Sequence, residues 1–176
     1  VRRCRAELAA IKINPRQPLR LSADVVVFGD APSTFENSDA YARFQNWEHW
    51  LAMGWLDAAI PMNYKMEHCP PQNTWYRNWV DKAVAWRHDR HMFIGQGNYM
   101  NGKSQSVTQM NYALSAGAQG TCNYDYWQTT INSLVCSGFT WINDVTFYDE
   151  IKNNIFTSFE PTPTMPWRDP TTATEG

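Results

Sequence analysis

Four short apolar runs alternate with helical stripes along this chain, and the alternation constrains its fold more than any other feature. The runs cover residues 19–29, 56–64, 91–99 and 118–126. Cys4, Leu8 and Ile11 precede the first run at helical spacing. Tyr41, Phe44, Trp47 and Leu51 follow it; Trp75, Trp79, Ala83 and Trp86 follow the second; Val107, Met110 and Leu114 follow the third. Side chains three, four and seven residues apart share one helix face, whereas a run such as Val25-Val26-Val27 favours extended chain. The first run reads as a strand covered on both faces. Pro15 and Pro18 should end the first helix, and Gly54 and Gly117 should end later ones. Ser106 with Gln109 resembles a capping box. Pro61 fits a strand only near its end. A last helix is expected over 144–156.

Strand starts recur roughly 27 to 37 residues apart, the length of one βα unit. Such alternation yields parallel strands joined by right-handed crossovers. Two architectures satisfy it: a small, complete flavodoxin-like sheet, or the last four βα units of a (β/α)8 TIM barrel, which usually needs about 250 residues. The chain opens on Val1, already in a helical pattern and with no capping residue before it. That start favours the second architecture, a partial barrel in the α/β class. Residues 1–157 then form its C-terminal half. Residues 158–176, rich in Pro and Thr, form a tail or linker.

Fifteen Lys and Arg face seventeen Asp and Glu, a net charge of −2. A phosphate-binding surface needs clustered excess base, so nucleic acid is not an expected partner. No run approaches the roughly 18 apolar residues of a membrane span. His49, His68, His88 and His91 have no metal-ligand spacing. Gly95-Gln96-Gly97 lacks the third glycine of a dinucleotide fingerprint, and neither a phosphate-loop lysine motif nor a serine nucleophile elbow is present. Neither metal nor cofactor is expected. Cys4, Cys69, Cys122 and Cys136 form no CxxC, and their pairing stays open.

In either architecture ligands gather at the carboxyl ends of the strands. Those ends carry Ser22 and Asp24; Asn63, Tyr64, Lys65 and Glu67; Gln96, Asn98, Tyr99 and Asn101; and Asn123, Tyr124, Asp125, Tyr126 and Trp127. An Asn-Tyr pair closes three of the four. Amides and phenols bond hydroxyl-rich ligands, and aromatic rings cover the apolar faces of sugars. Asp125 is the leading catalytic carboxylate. Asp24, inside an apolar run, is either a buried general acid or a structural carboxylate. Asp57 begins its strand and so belongs to the stability end.

Leu21-Ser22-Ala23, then Trp47-x-x-Trp50-Leu51-x-x-Gly54-Trp55-Leu56-Asp57 running into Pro61-Met62-Asn63-Tyr64, then Ile94-Gly95-x-Gly97-x-Tyr99 and Gly117-Ala118-x-Gly120 form an ordered series. Over roughly residues 1–130 the series resembles the C-terminal half of the family-10-like glycosylhydrolases, also described as the YngK-like or glycosyl-hydrolase-like family 10 domain. The resemblance implies a (β/α)8 barrel in a bacterial, usually exported protein, hence an extracytoplasmic location. It implies action on O-glycosidic bonds of cell-wall glycan or another polysaccharide. The family commonly has Gln where Met62 stands here, whereas Tyr64 matches. Its Asp-Gly-x-x-x-Asp motif would lie before Val1, in the N-terminal half of the same barrel. Hydrolysis would use two carboxylates, one from that missing half and Asp125 or Asp24 from this one. Asn63, Tyr64, Lys65, Asn98, Tyr99, Tyr124 and Trp127 would hold the carbohydrate. A non-catalytic carbohydrate-binding barrel is the alternative.

Overall fold

The computed structural model describes residues 1–11 and 19–168. Helix α1 (Arg2–Ala10) ends on an extended Ile11, so Pro15 and Pro18, the expected stops, lie outside the described residues. There follow β1 (Ser22–Val25), α2 (Asp39–Ala42), α3 (Trp47–Ala52), β2 (Ala58–Pro61), α4 (Gln72–Ala85), β3 (His91–Gly97), α5 (Lys103–Ser115) and β4 (Gly120–Tyr124). A small hairpin of β5 (Thr130–Ile131) and β6 (Trp141–Ile142) precedes α6 (Thr146–Asn154).

Strands β1 to β4 form one parallel sheet in chain order, with Asp24 opposite Ile60, Ala59 opposite Met92 and Gly95 opposite Cys122. Each right-handed crossover therefore steps the same way and lays its helix on the same face. On that face Val25, Val27, Ala59, Met92 and Ile94 are buried against Trp47, Leu51, Tyr76, Trp79, Val80 and Ala83. Phe35 meets Trp47 and Trp86 edge-on at 4.7 and 5.4 Å. The other face is bare. Ser22, Asp24, Cys122 and Tyr124 are exposed, which corrects the expectation of a first strand covered on both sides. Alternation explains it, because Ala23 and Val25 point toward the helices while Ser22 and Asp24 point away. Among the described residues, no strand pairs with the outer edge of β1 or β4.

Local chemistry corrects two helices. The stripe from Tyr41 to Leu51 is two helices, not one. Phe44 breaks it at φ +60° and is 93% exposed, and the Asn46 side chain accepts from His49 N to start α3. A good cap outcompetes an uninterrupted stripe. Ser106 and Gln109 do not cap α5, which starts a turn earlier at Gly102; both are buried inside it.

Gly95 sits where β3 crosses close to β2. A Cβ there would lie 2.7 Å from the Pro61 carbonyl oxygen and 3.2 Å from Met62 Cα, both backbone atoms. Gly95→Ala should cost about 1–3 kcal/mol by overpacking, read as a lower midpoint in urea.

Asp57 is fully buried at the amino end of β2, in keeping with a structural role. Its carboxylate accepts from Leu21 N at 2.7 Å, from Trp167 Nε1 at 2.9 Å, and from Arg5 and Arg168. The described part of the expected tail is thus anchored on the sheet. His91 Nε2 adds a bond to the Thr164 carbonyl at 2.9 Å. Thr162 and Met165 close the lower side of a concavity of about 400 Å³ on the bare face, lined also by Ile60, Phe93 and Cys122.

Cys69 and Cys136 form a disulfide, which ties the β2–α4 loop to the β5–β6 loop; Cys4 and Cys122 are free. The bond closes a loop of 67 residues. Cys136→Ser should therefore lower stability by about 2–4 kcal/mol, and a reductant should lower the parent protein to the same level while leaving the variant unchanged.

Candidate functional site

Parallel strands deliver all four carboxyl ends to one rim, so tyrosines about 25 to 60 positions apart meet there. Tyr64 follows β2, Tyr99 follows β3, and Tyr124 ends β4. Tyr64 stacks on Tyr124 with centroids 5.5 Å apart and planes at 23°. Tyr99 stands edge-on to both, at 6.1 and 5.9 Å. Gly97 makes room for this group. A Cβ at that position would come within 3.0 Å of Tyr64 Cβ and 3.2 Å of Met100.

Asp24, opposite Ile60 on the bare face of β1, acts on this cluster through its charge. Burial, then the charge of Asp24, pushes the Tyr64 phenol up to about 12. Burial, then the charge of Asp24, also pushes the Cys122 thiol up. Burial, then Tyr124, raises Tyr99. Phenols shifted upward keep their protons at neutral pH, so the rim offers O–H donors, aromatic faces and one exposed carboxylate. Tyr124 remains 51% exposed, which leaves a ring face open to a ligand.

Beneath the rim lies a layer of buried amides. Gln96 Nε2 donates to Tyr76 Oη, whose hydroxyl donates to the Gln109 carbonyl at 3.1 Å. Gln109 Nε2 and Asn101 Nδ2 both donate to the Lys65 carbonyl, at 3.0 and 2.8 Å. Asn101 Nδ2 also reaches the Gly97 carbonyl at 3.1 Å. These bonds lock the ends of β2 and β3 together and fix the rim's geometry. The sequence reading missed Tyr76 and Gln109. A signal for Gln109 existed, since Ser106 and Gln109 sit three apart on the buried stripe of α5.

The expected site residues separate into two groups. Tyr64, Tyr99 and Tyr124 come together, and Asp24 acts on Tyr64 through its charge. Asn63 is fully buried and donates from Nδ2 to the Tyr76 carbonyl at 2.9 Å, so it supports α4 and does not line the rim. Asn98 is 1% exposed. Lys65 is 6% exposed, and burial, against the pull of Asp30, lowers its amine to about 8. Asp125 Oδ1 accepts from Trp127 N at 2.7 Å and Gln128 N at 2.6 Å, which makes it the pivot of the turn after β4. Trp127 and Tyr126 stand outward beyond that turn, 61% and 79% exposed.

Among the described residues, no group of three or more His, Cys, Asp and Glu side chains could hold a metal ion. None of the described helices is long and apolar enough to cross a membrane. The chain matches no protein-family model, no curated protein and no solved structure.

Proposed function

We propose that this chain supplies the trailing four βα units of a (β/α)8 barrel that hydrolyses O-glycosidic bonds in a polysaccharide, with bacterial cell-wall glycan the first candidate. Sequential strand order, helices on one face and outer edges that no strand among the described residues pairs with support the architecture. The bare face would be the barrel interior, and the preceding units would pair with β1 and β4. One observation carries the function: three tyrosines from three successive strands meet at one rim, with the charge of Asp24 on β1 acting on Tyr64. Aromatic faces pack on sugar rings, phenols bond their hydroxyls, and a carboxylate supplies half of an acid/base pair.

Asp24 is the carboxylate we assign to catalysis from this portion. The Asp125 oxygen held by two backbone N–H groups leaves that residue the weaker candidate. Tyr64, Tyr99, Tyr124 and Trp127 would position the sugar. A disulfide fits an extracytoplasmic setting. The engagement of Asp125 also suits a second reading, a barrel that binds glycan without cleaving it. The deciding experiment incubates the polypeptide carrying the preceding units with soluble cell-wall glycan and follows new reducing ends. Turnover supports the hydrolase; retention on immobilised glycan without turnover supports the binding barrel; neither result sinks both.

A further inference from the structure

The amino end of the sheet gathers more guanidinium than its acids take up. Asp57 is the acid at the centre, and both of its oxygens are engaged: Oδ1 by Trp167 and Arg168, Oδ2 by Leu21 N and Arg5. A third guanidinium, that of Arg90 just before β3, stands beside this group with its Cζ 4.8 Å from the centre of the Trp167 ring. Among the described residues it makes neither a hydrogen bond nor an ion pair, and its Nε is buried without a partner. Burial, then the charge of Arg168, lowers the pKa of Arg90 against the pull of Asp57 and Asp89.

Arg90 and Arg168 close on one residue. Gly54, between α3 and β2 at φ +64°, offers its carbonyl to Arg168 Nη2 at 3.3 Å. A Cβ at Gly54 would lie 2.9 Å from Arg90 Nη2. Two like charges therefore flank a position that carries no side chain, in a chain whose net charge is −2. Like charges held this close repel, and a buried donor without an acceptor costs free energy; an anion between them offsets both. The planar fork of an arginine matches the oxygens of a phosphate.

We propose that the amino end of the sheet holds a site for a phosphate-class oxyanion, received by the unengaged fork of Arg90 beside Arg168. A doubly charged group suits the paired guanidiniums better than a singly charged carboxylate. The bound anion would tie the segment ending at Arg168 to the turn between α3 and β2. The site lies at the end of the sheet opposite the tyrosine rim, so its test is independent of the glycan reading.

The test titrates the full polypeptide with inorganic phosphate at about pH 7.5, where phosphate is mostly doubly charged. Sodium chloride at matched ionic strength is the control, and the NMR resonances of Arg90 Nε–H and Trp167 Nε1–H are the readouts. Both should shift saturably with a Kd of about 1 mM or below, and acetate should bind about tenfold more weakly. Arg90→Met keeps the stem over Trp167, breaks no hydrogen bond and should fold. It should weaken phosphate by about 10- to 100-fold, read at Trp167. Lys152→Met on α6 makes the same change in net charge and should leave the affinity unaltered. Shifts that chloride reproduces, affinity unchanged in Arg90→Met, or an equal loss in Lys152→Met overturns the inference. Asp169 follows Arg168 and lies outside the described residues. Phosphate binding that emerges only in Asp169→Asn would give the place to the chain's own carboxylate and overturn the inference equally.

Discussion

Asp57→Asn should be the most destabilising single change in the chain. The carboxylate is fully buried and joins four donors from three distant segments: Arg5 of α1, Leu21 N ahead of β1, and Trp167 with Arg168 near residue 168. Removing its charge strands two arginines. Breaking a buried pair costs about 3–5 kcal/mol. The lower figure applies, because the Arg5 and Arg168 side chains keep 13% and 22% of their exposure. The melting temperature should fall by roughly 6–12 °C for a chain of this size. Burial by itself favours the protonated acid, but the bonds from Leu21 N, Arg5, Arg168 and Trp167 outweigh it and hold the pKa of Asp57 below the ordinary value. A depressed folded pKa adds stability above the unfolded value of about 3.9. That stability is lost as pH falls through the lowered folded value. Denaturation at several pH values should thus show a full gap between parent and variant above about pH 5, narrowing in stronger acid. A constant gap down to pH 2 would show that Asp57 does not act through its charge.

Asp24→Asn should have the largest effect on turnover. It is nearly isosteric, and the side chain is exposed on the bare face of the sheet, so folding should be preserved. A positioned acid or base contributes about 10²- to 10⁴-fold. The variant's kcat should fall by that factor with KM little changed, the signature of an interaction made in the transition state. Asp125→Asn offers the contrast. Asn retains the Oδ1 acceptor for Trp127 N and Gln128 N, so the turn survives and less than about tenfold should be lost. The reverse order would transfer the catalytic role to Asp125. Full binding and unchanged background in both would favour the binding barrel.

The strands were legible because their apolar runs and their βα spacing are local signals. The Asn-Tyr pairs were half legible. Neighbours in extended chain point to opposite faces. Tyr64 and Tyr99 therefore join the ring cluster, while Asn63 and Asn98 are buried beneath it. The motif was visible, but its division of labour needed the sheet. Phe44 misled because its spacing fits a helix face, and the Asn46 cap that splits the stripe reads as an ordinary interior residue. The bare face of β1 was written in Ser22 and Asp24 but masked by the valines that follow. Partners of Asp57 lie 36 to 111 residues away, and no local pattern reports so distant a contact. Four cysteines allow three full pairings, so geometry had to choose Cys69 with Cys136. Tyr76 became recognisable only once α4 was set against Gln96 of β3 and Gln109 of α5.

The clasp on Asp57 has a practical corollary for handling the molecule. Arg5 and Arg168 converge below the amino ends of the strands, opposite the tyrosine rim. Position 168 therefore lies on the underside, and a molecule held by that face presents its rings outward, where a dissolved ligand can reach them unobstructed.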